Sequence, residues 1–428
     1  MTATPPRPDR TGPLPPGRIH LPDSLRRDYL DAVTDVGDED PSAADAQAAH
    51  RVWAAAEHWY QAGTQPGIGI CIRRRGVPVL DRTIGHARGN GPDDDPGIAP
   101  APLLTSTPVC VFSAAKALAV TVAHLLIERG RLDPAQPVAD LLPGYGRHGK
   151  GRTTVDHVLT HRAGVPVITG PRPDLRRSED STYTREMLAG LWPVYPPGTL
   201  HMYHALTWGP LMREIVAAAT GRSIRDILAE QILDPLGFRW TNFGVAEQDV
   251  SLVAPSYVTG PPPSGAMDAA FAKVVGGGMS AVVSTANTPG FLTGVVPSSN
   301  AVSTAAELAR FADLLQRGGE LDGVRALAPS TIAAATRQRR RLRPDIATGG
   351  APIRWGTGYM LGSQRHGPFG RGAPDAFGHT GLTQIAVWAD PSRELAVGIV
   401  STGKPGPHPE AGRYDRLLDT VNDAFARG

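Results

Sequence analysis

The chain has 428 residues, enough for two or three domains or one elaborated enzyme, and its 41% apolar and 20% charged residues allow a sizeable core. A net charge of +2 and a pI near 8.6 point to neither an acidic nor a nucleic-acid partner. Two cysteines, Cys71 and Cys110, are too few for a disulfide framework and lack metal-ligand spacing, so no metal site is expected.

Residues 1–43 combine a proline-rich start with the acidic stretch TDVGDEDPSAAD and read as an irregular N-terminal arm. The arm has no apolar h-region, so no signal peptide is expected. No run of about 18 apolar residues predicts a membrane span. A cytoplasmic address is the default expectation. AADAQAAHRVWAAAEHWYQAG has helical spacing and stops at Gly63. IGICIRRRGVPVLDRTIG predicts a hairpin about Arg75-Gly76, with Pro78 suggesting an edge position. ARGNGPDDDPGIAPAP is a loop. Ser113 to Arg129 is helical, with Leu118, Val122, Leu125 and Leu126 on one face and Gly130 as the stop.

The middle of the chain reads as helices joined by Pro/Gly-rich loops. LTWGPLMREIVAAATG and SIRDILAEQILDPLGF are the clearest, the second with Ser223 as N-cap. The basic run TRQRRRLRP (336–344) has no interleaved aromatics, so it reads as a solvated helix end and not a nucleic-acid patch. Strand character returns in IRWGTGYML, TQIAVWAD and LAVGIVST, the last two joined by a turn at 390–394. An amphipathic helix covers roughly 409–426. The organisation is thus the arm 1–43, an α/β region from 44–134 and 346–428, and a mainly helical region 135–345.

Only four of the 43 basic residues are lysine, and one of them, Lys116, follows Ser113 by three positions in TPVCVFSAAKALAV. Serine is a poor nucleophile without a base. Lysine becomes one when burial disfavours its ammonium form. Positions i and i+3 share a helix face, and a helix start offers free N–H groups for a developing oxyanion. A second S-x-x-K, Ser401 to Lys404, falls where a strand meets a Gly/Pro loop, so no helical face aligns it. The G-x-S-x-G elbow of α/β-hydrolases is absent. His157 and His161 form H-x-x-x-H, but Val158 stands where a zincin needs glutamate, so both read as helix-face or capping histidines. The glycine run VVGGGMS (274–280) lacks phosphate-loop spacing and reads as close packing or a loop near a cleft.

Several ordered motifs together resemble the serine β-lactamase and penicillin-binding-protein superfamily, closest to its class C-like branch of carboxylesterases and D-aminopeptidase-like hydrolases. These are FSAAK, VLTHRAGV (158–165), YPPGTLHMYHALTWGPL and FGHTGLTQIAVWADP. The resemblance runs from about residue 50 to 425. It implies an α+β fold, an antiparallel sheet flanked by helices with a mainly helical inserted region. Ser113 matches the acylated nucleophile and Lys116 the lysine of its proton network. Tyr203 matches the tyrosine acting as general base and later proton donor, where a lysine cation is expected to lower the phenol's pKa. His379 stands in place of the K-T-G lysine, with Gly381 letting the strand approach substrate. The oxyanion hole would be the backbone N–H groups of Ser113 and Leu382.

Two departures bear on substrate. Ala205 replaces the asparagine of Y-x-N and offers no side-chain hydrogen bond. His379, expected to change charge near pH 7, holds a carboxylate less firmly than a lysine would. The resemblance therefore implies a cofactor-free carboxylesterase of small or medium acyl esters. D-aminopeptidase, weak β-lactamase and acyltransferase activities are alternatives within the family. A catalytically silent ligand-binding member is the alternative outside catalysis. A small-molecule ester or acyl substrate is the one expected partner, and the oligomeric state is left open.

Overall fold

The computed structural model describes residues 16–425, apart from 23–24, 96, 171–176, 178, 340–344, 346, 348–349, 351 and 407–408. Its largest sheet has nine antiparallel strands. In chain order they include β1 (Thr34–Val36), β2 (Gly67–Arg74), β3 (Val77–Arg88), β4 (Arg354–Trp355), β5 (Met360–Leu361), β6 (Phe377–Gly381), β7 (Ile385–Asp390) and β8 (Leu395–Ser401). The spatial order is β1-β3-β2-β8-β7-β6-β5-β4, with Ala101–Pro102 pairing to β3. The two ends of the chain thus build one sheet, as the resemblance implied.

Helix packing follows from strand alternation. Ile68, Ile70 and Ile72 of β2, Trp388 of β7, and Val397 and Ile399 of β8 face one core. That core is closed by helices α2 (Ala43–Tyr60) and α7 (Gly412–Ala424) through Trp53, Trp59 and Leu417. Cys71, Val387, Ala396 and Val400 face the opposite core, beneath helix α6 (Ala305–Gln316) with Leu308 and Phe311. A Cβ on Gly398 would stand 2.3 Å from Ala305 O, so only glycine lets α6 lie this close to β8. The expected 135–345 helical region therefore loses α6, which lies on the sheet. The rest of that stretch, in its described residues, is helices, loops and short pairings such as Asn242–Phe243 with Ala301–Ser303.

The expected irregular arm also differs. Helix α1 (Arg27–Ala32) and β1 fold onto the sheet, burying Tyr29 and Leu30. Residues 1–15 and 23–24 of that arm lie outside the described residues. Pro78 sits on an inner strand, yet β1 covers only residues 82–84, and a bulge falls between Ile72 and Arg73. Pro78 therefore lies beyond the ladder that β1 makes with this strand.

Candidate active site

Ser113 lies in a 3-10 turn, Phe112–Ala114, that leads directly into helix α3 (Ala115–Glu128). Phe112 has φ 47, a left-handed backbone that non-glycine residues rarely adopt. The turn is fixed from behind, where the Val111 N–H donates to Ala301 O at 2.9 Å. The sequence suggested one apolar face for α3. In the structure every residue from Ala115 to Leu126 is buried, so this is a central core helix.

That burial sets the chemistry. Lys116 is 0% exposed, while Ser113 is partly exposed. Lys116 Nζ lies 3.3 Å from Ser113 Oγ, 3.0 Å from Ser298 O and 3.4 Å from Ala205 O. No carboxylate pairs with it among the described residues, and burial holds the amine well below the ordinary lysine pKa. In its neutral form the amine has two N–H donors and one lone pair, so with the two carbonyls taking the donors the lone pair would be left for the serine.

Tyr203 is 8% exposed, with its ring 4.9 Å from Lys116 Nζ. Its hydroxyl closes no hydrogen bond of standard geometry among the described residues. Burial drives the phenol well above its ordinary pKa, while the Ser113 hydroxyl pulls it the other way. The resemblance implied a lysine cation favouring tyrosinate; in the structure, burial acts against the charged form of both groups.

His379, on β6, is fully buried, with its ring 5.9 Å from that of Tyr203. Its Nδ1 is 2.8 Å from Thr380 O, which can only accept, so the proton sits on Nδ1. Nε2 is then a lone-pair acceptor, buried and unpartnered among the described residues. Burial, reinforced by Lys116, pushes its pKa down to about 3. The expected change of charge near pH 7 is corrected: the imidazole stays neutral and offers an acceptor, a poor match for a carboxylate.

A Cβ on Gly381 would meet Val111 O at 2.4 Å, so the end of β6 passes against the nucleophile's turn. Leu382 follows at the tip of the hairpin, where Gly381, Leu382, Thr383 and Gln384 are all only partly buried. Ser113 and this tip form the solvent-facing side of the cluster. Ala205, where an amide side chain was missed, contributes its carbonyl to Lys116.

Four neighbours were not singled out as site residues in the sequence. His161 and Trp355 pack rings at 4.8 and 5.9 Å from Tyr203, Asp345 accepts the Tyr203 N–H at 2.8 Å, and Ser298 holds Lys116. No local spacing links them to Ser113. His157 caps helix α4 (Val155–Leu159), its Nδ1 accepting the Thr154 N–H as expected of a capping histidine, whereas His161 is in the site. The glycines of VVGGGMS join helices Gly265–Val275 and Met279–Ala286, and a Cβ on Gly276 would press on Leu206 beside the Tyr203 stretch. At the second S-x-x-K, Lys404 Nζ bonds the Ser401 carbonyl and the Ser401 hydroxyl donates to Gln384 O at 3.1 Å, so the two side chains do not pair. Residues 340–344 of the basic run and most of 171–178 lie outside the described residues. Arg339, in the described part of that run, pairs with Asp156 at 3.2 Å.

Comparison with known proteins finds that the beta-lactamase family profile matches residues 53–422. The esterase/beta-lactamase LipL of Mycobacterium tuberculosis is 31% identical over 347 residues, covering 78% of this chain and 76% of that protein. A penicillin-binding protein homolog from Caulobacter crescentus superposes with a TM-score of 0.76 at 28% identity, over 91% of this chain and all of that one. A family VIII carboxylesterase gives 0.73 at 26% identity, over 89% of this chain and 98% of that one.

Proposed function

The chain belongs to the beta-lactamase family and is a serine hydrolase, and from that premise we propose that it is a carboxylesterase of small or medium acyl esters, working through an acyl-enzyme on Ser113. The observation that carries the reading is the buried Lys116 amine, 3.3 Å from Ser113 Oγ and held otherwise by the carbonyls of Ser298 and Ala205. In the proposed first step the Ser113 proton passes to Lys116 Nζ as Oγ bonds the ester carbonyl carbon. The backbone N–H groups of Ser113 and Leu382 receive the oxyanion. On collapse the bond from carbonyl carbon to alcohol oxygen breaks, and the leaving oxygen takes the Tyr203 phenol proton, which Lys116 replaces. Water then repeats the sequence on the acyl-enzyme, releasing the acid and free Ser113.

The preference for esters draws support from His379 and Ala205. A neutral acceptor imidazole gives a substrate carboxylate no counter-charge, and Ala205 gives an amide no side-chain partner. The esterase and carboxylesterase names of similar proteins agree with this. Turnover of a p-nitrophenyl ester chain-length series, alongside nitrocefin and D-amino acid amides, tests the proposal. Ester turnover that vanishes in Ser113→Ala is expected. Preferential turnover of D-amino acid amides or nitrocefin would overturn it.

A further inference from the structure

Tyr203 sits in a stretch, residues 201–204, with neither helix nor strand to place it. Its position falls to the partners of three successive N–H groups. Met202 N–H donates to His161 O at 3.1 Å, and His204 N–H donates to His161 Nδ1 at 3.2 Å. Between them, Tyr203 N–H donates to Asp345 Oδ2 at 2.8 Å. His161 thus grips the residue on each side of Tyr203, once through its main chain and once through its ring. Its φ of 53 lies in the left-handed region that non-glycine residues rarely adopt. Strain of this kind persists where the surroundings over-determine it.

The ring of His161 does more than pack. Nδ1 accepts a backbone N–H, so the ring proton is on Nε2. That Nε2 is buried without a partner among the described residues. A side chain kept only to fill space would be better apolar, since an unpaired buried donor costs stability. What the ring supplies that an apolar filler lacks is the Nδ1 acceptor.

We propose that His161 is a positioning residue for Tyr203, clamping residues 202 and 204 so that the phenol stays against Ser113 and Lys116. The inference rests on the reading of Tyr203 as the proton relay. Two variants separate the clamp from mere folding. His161→Gly keeps the left-handed backbone and the carbonyl but loses the ring acceptor. His161→Asn tolerates the same backbone and returns a side-chain oxygen acceptor.

The expected result is a drop of about 10- to 100-fold in kcat for His161→Gly with little change in KM, the size seen when a supporting hydrogen bond is lost. His161→Asn recovers most of that kcat. Amide exchange over a peptide spanning residues 195–207 accelerates in His161→Gly and not in His161→Asn. Wild-type kcat in His161→Gly, or equal loss in both variants, overturns the proposal. Tyr203→Phe reports separately on the underlying reading. Should that variant keep full activity, the relay role of Tyr203 fails, and the clamp stands or falls on the exchange measurement.

Discussion

Lys116 and His379 are basic side chains buried with no carboxylate paired to either among the described residues, and that burial disfavours the charged form of both. In the proposed mechanism Lys116 accepts the Ser113 proton as a neutral amine, so kcat/KM is expected to fall as pH drops through its lowered pKa. His379 stays neutral down to about 3 and contributes no inflection near 6.5. A pH–rate profile of wild type and His379→Gln is therefore expected to show the same acid limb in both. A limb near 6.5 that moves with the substitution would sink this assignment. Lys116→Met is expected to lower kcat/KM by about 100- to 10,000-fold, the range for losing a general base. An initial-rate series against p-nitrophenyl acetate checks it, and near-wild-type turnover would contradict it. Ser113 and Lys116 were legible because their link is three residues long. His161, Ser298, Asp345 and Trp355 were not, because 45 to 239 residues separate them from Lys116 and no periodicity spans such gaps. The charge of His379 was not legible for a related reason: burial governs it, and the motif carries no information about burial.

Elements show the same division between local and distant causes. The β2–β3 hairpin, the turn at 390–394 and the terminal helix were legible from turn residues and alternation. The left-handed Phe112 was not, since a phenylalanine gives no local signal for it. Nor was the docking of α6, which depends on glycine 398 across the sheet from a helix some ninety residues earlier. Gly398→Ala tests that contact. Its Cβ would stand 2.3 Å from Ala305 O, so the helix must move, and overpacking of this kind costs about 1–3 kcal/mol. Urea denaturation should show a lower midpoint with an unchanged slope. An unchanged midpoint would mean that α6 is held elsewhere.

At the scale of the whole molecule, the site is a junction of three distant stretches: the Ser113 turn and α3, the Tyr203 loop, and β6. Beside it lies another buried lysine. Lys404 is 0% exposed, 5.4 Å over the Phe112 ring, and burial lowers its pKa from 10.5 to about 7. Between those two values the unfolded chain binds a proton that the folded chain does not, so this group makes stability rise with pH from about 7 towards 10.5 and leaves its full penalty below 7. Lys404→Met should flatten that slope and raise the melting temperature at pH 7, as read by thermal melts from pH 6 to 10. A slope unchanged by the substitution would show that Lys404 is not its source.

The central claim is that the carbonyl carbon of the substrate becomes bonded to one hydroxyl, that of Ser113. Intact-mass spectrometry of protein quenched during turnover of an activated ester, followed by peptide mapping, tests it most directly. The account predicts a single acyl adduct on the peptide containing residues 107–120, absent from Ser113→Ala. Steady turnover by Ser113→Ala, or an adduct mapped to another peptide, would contradict it.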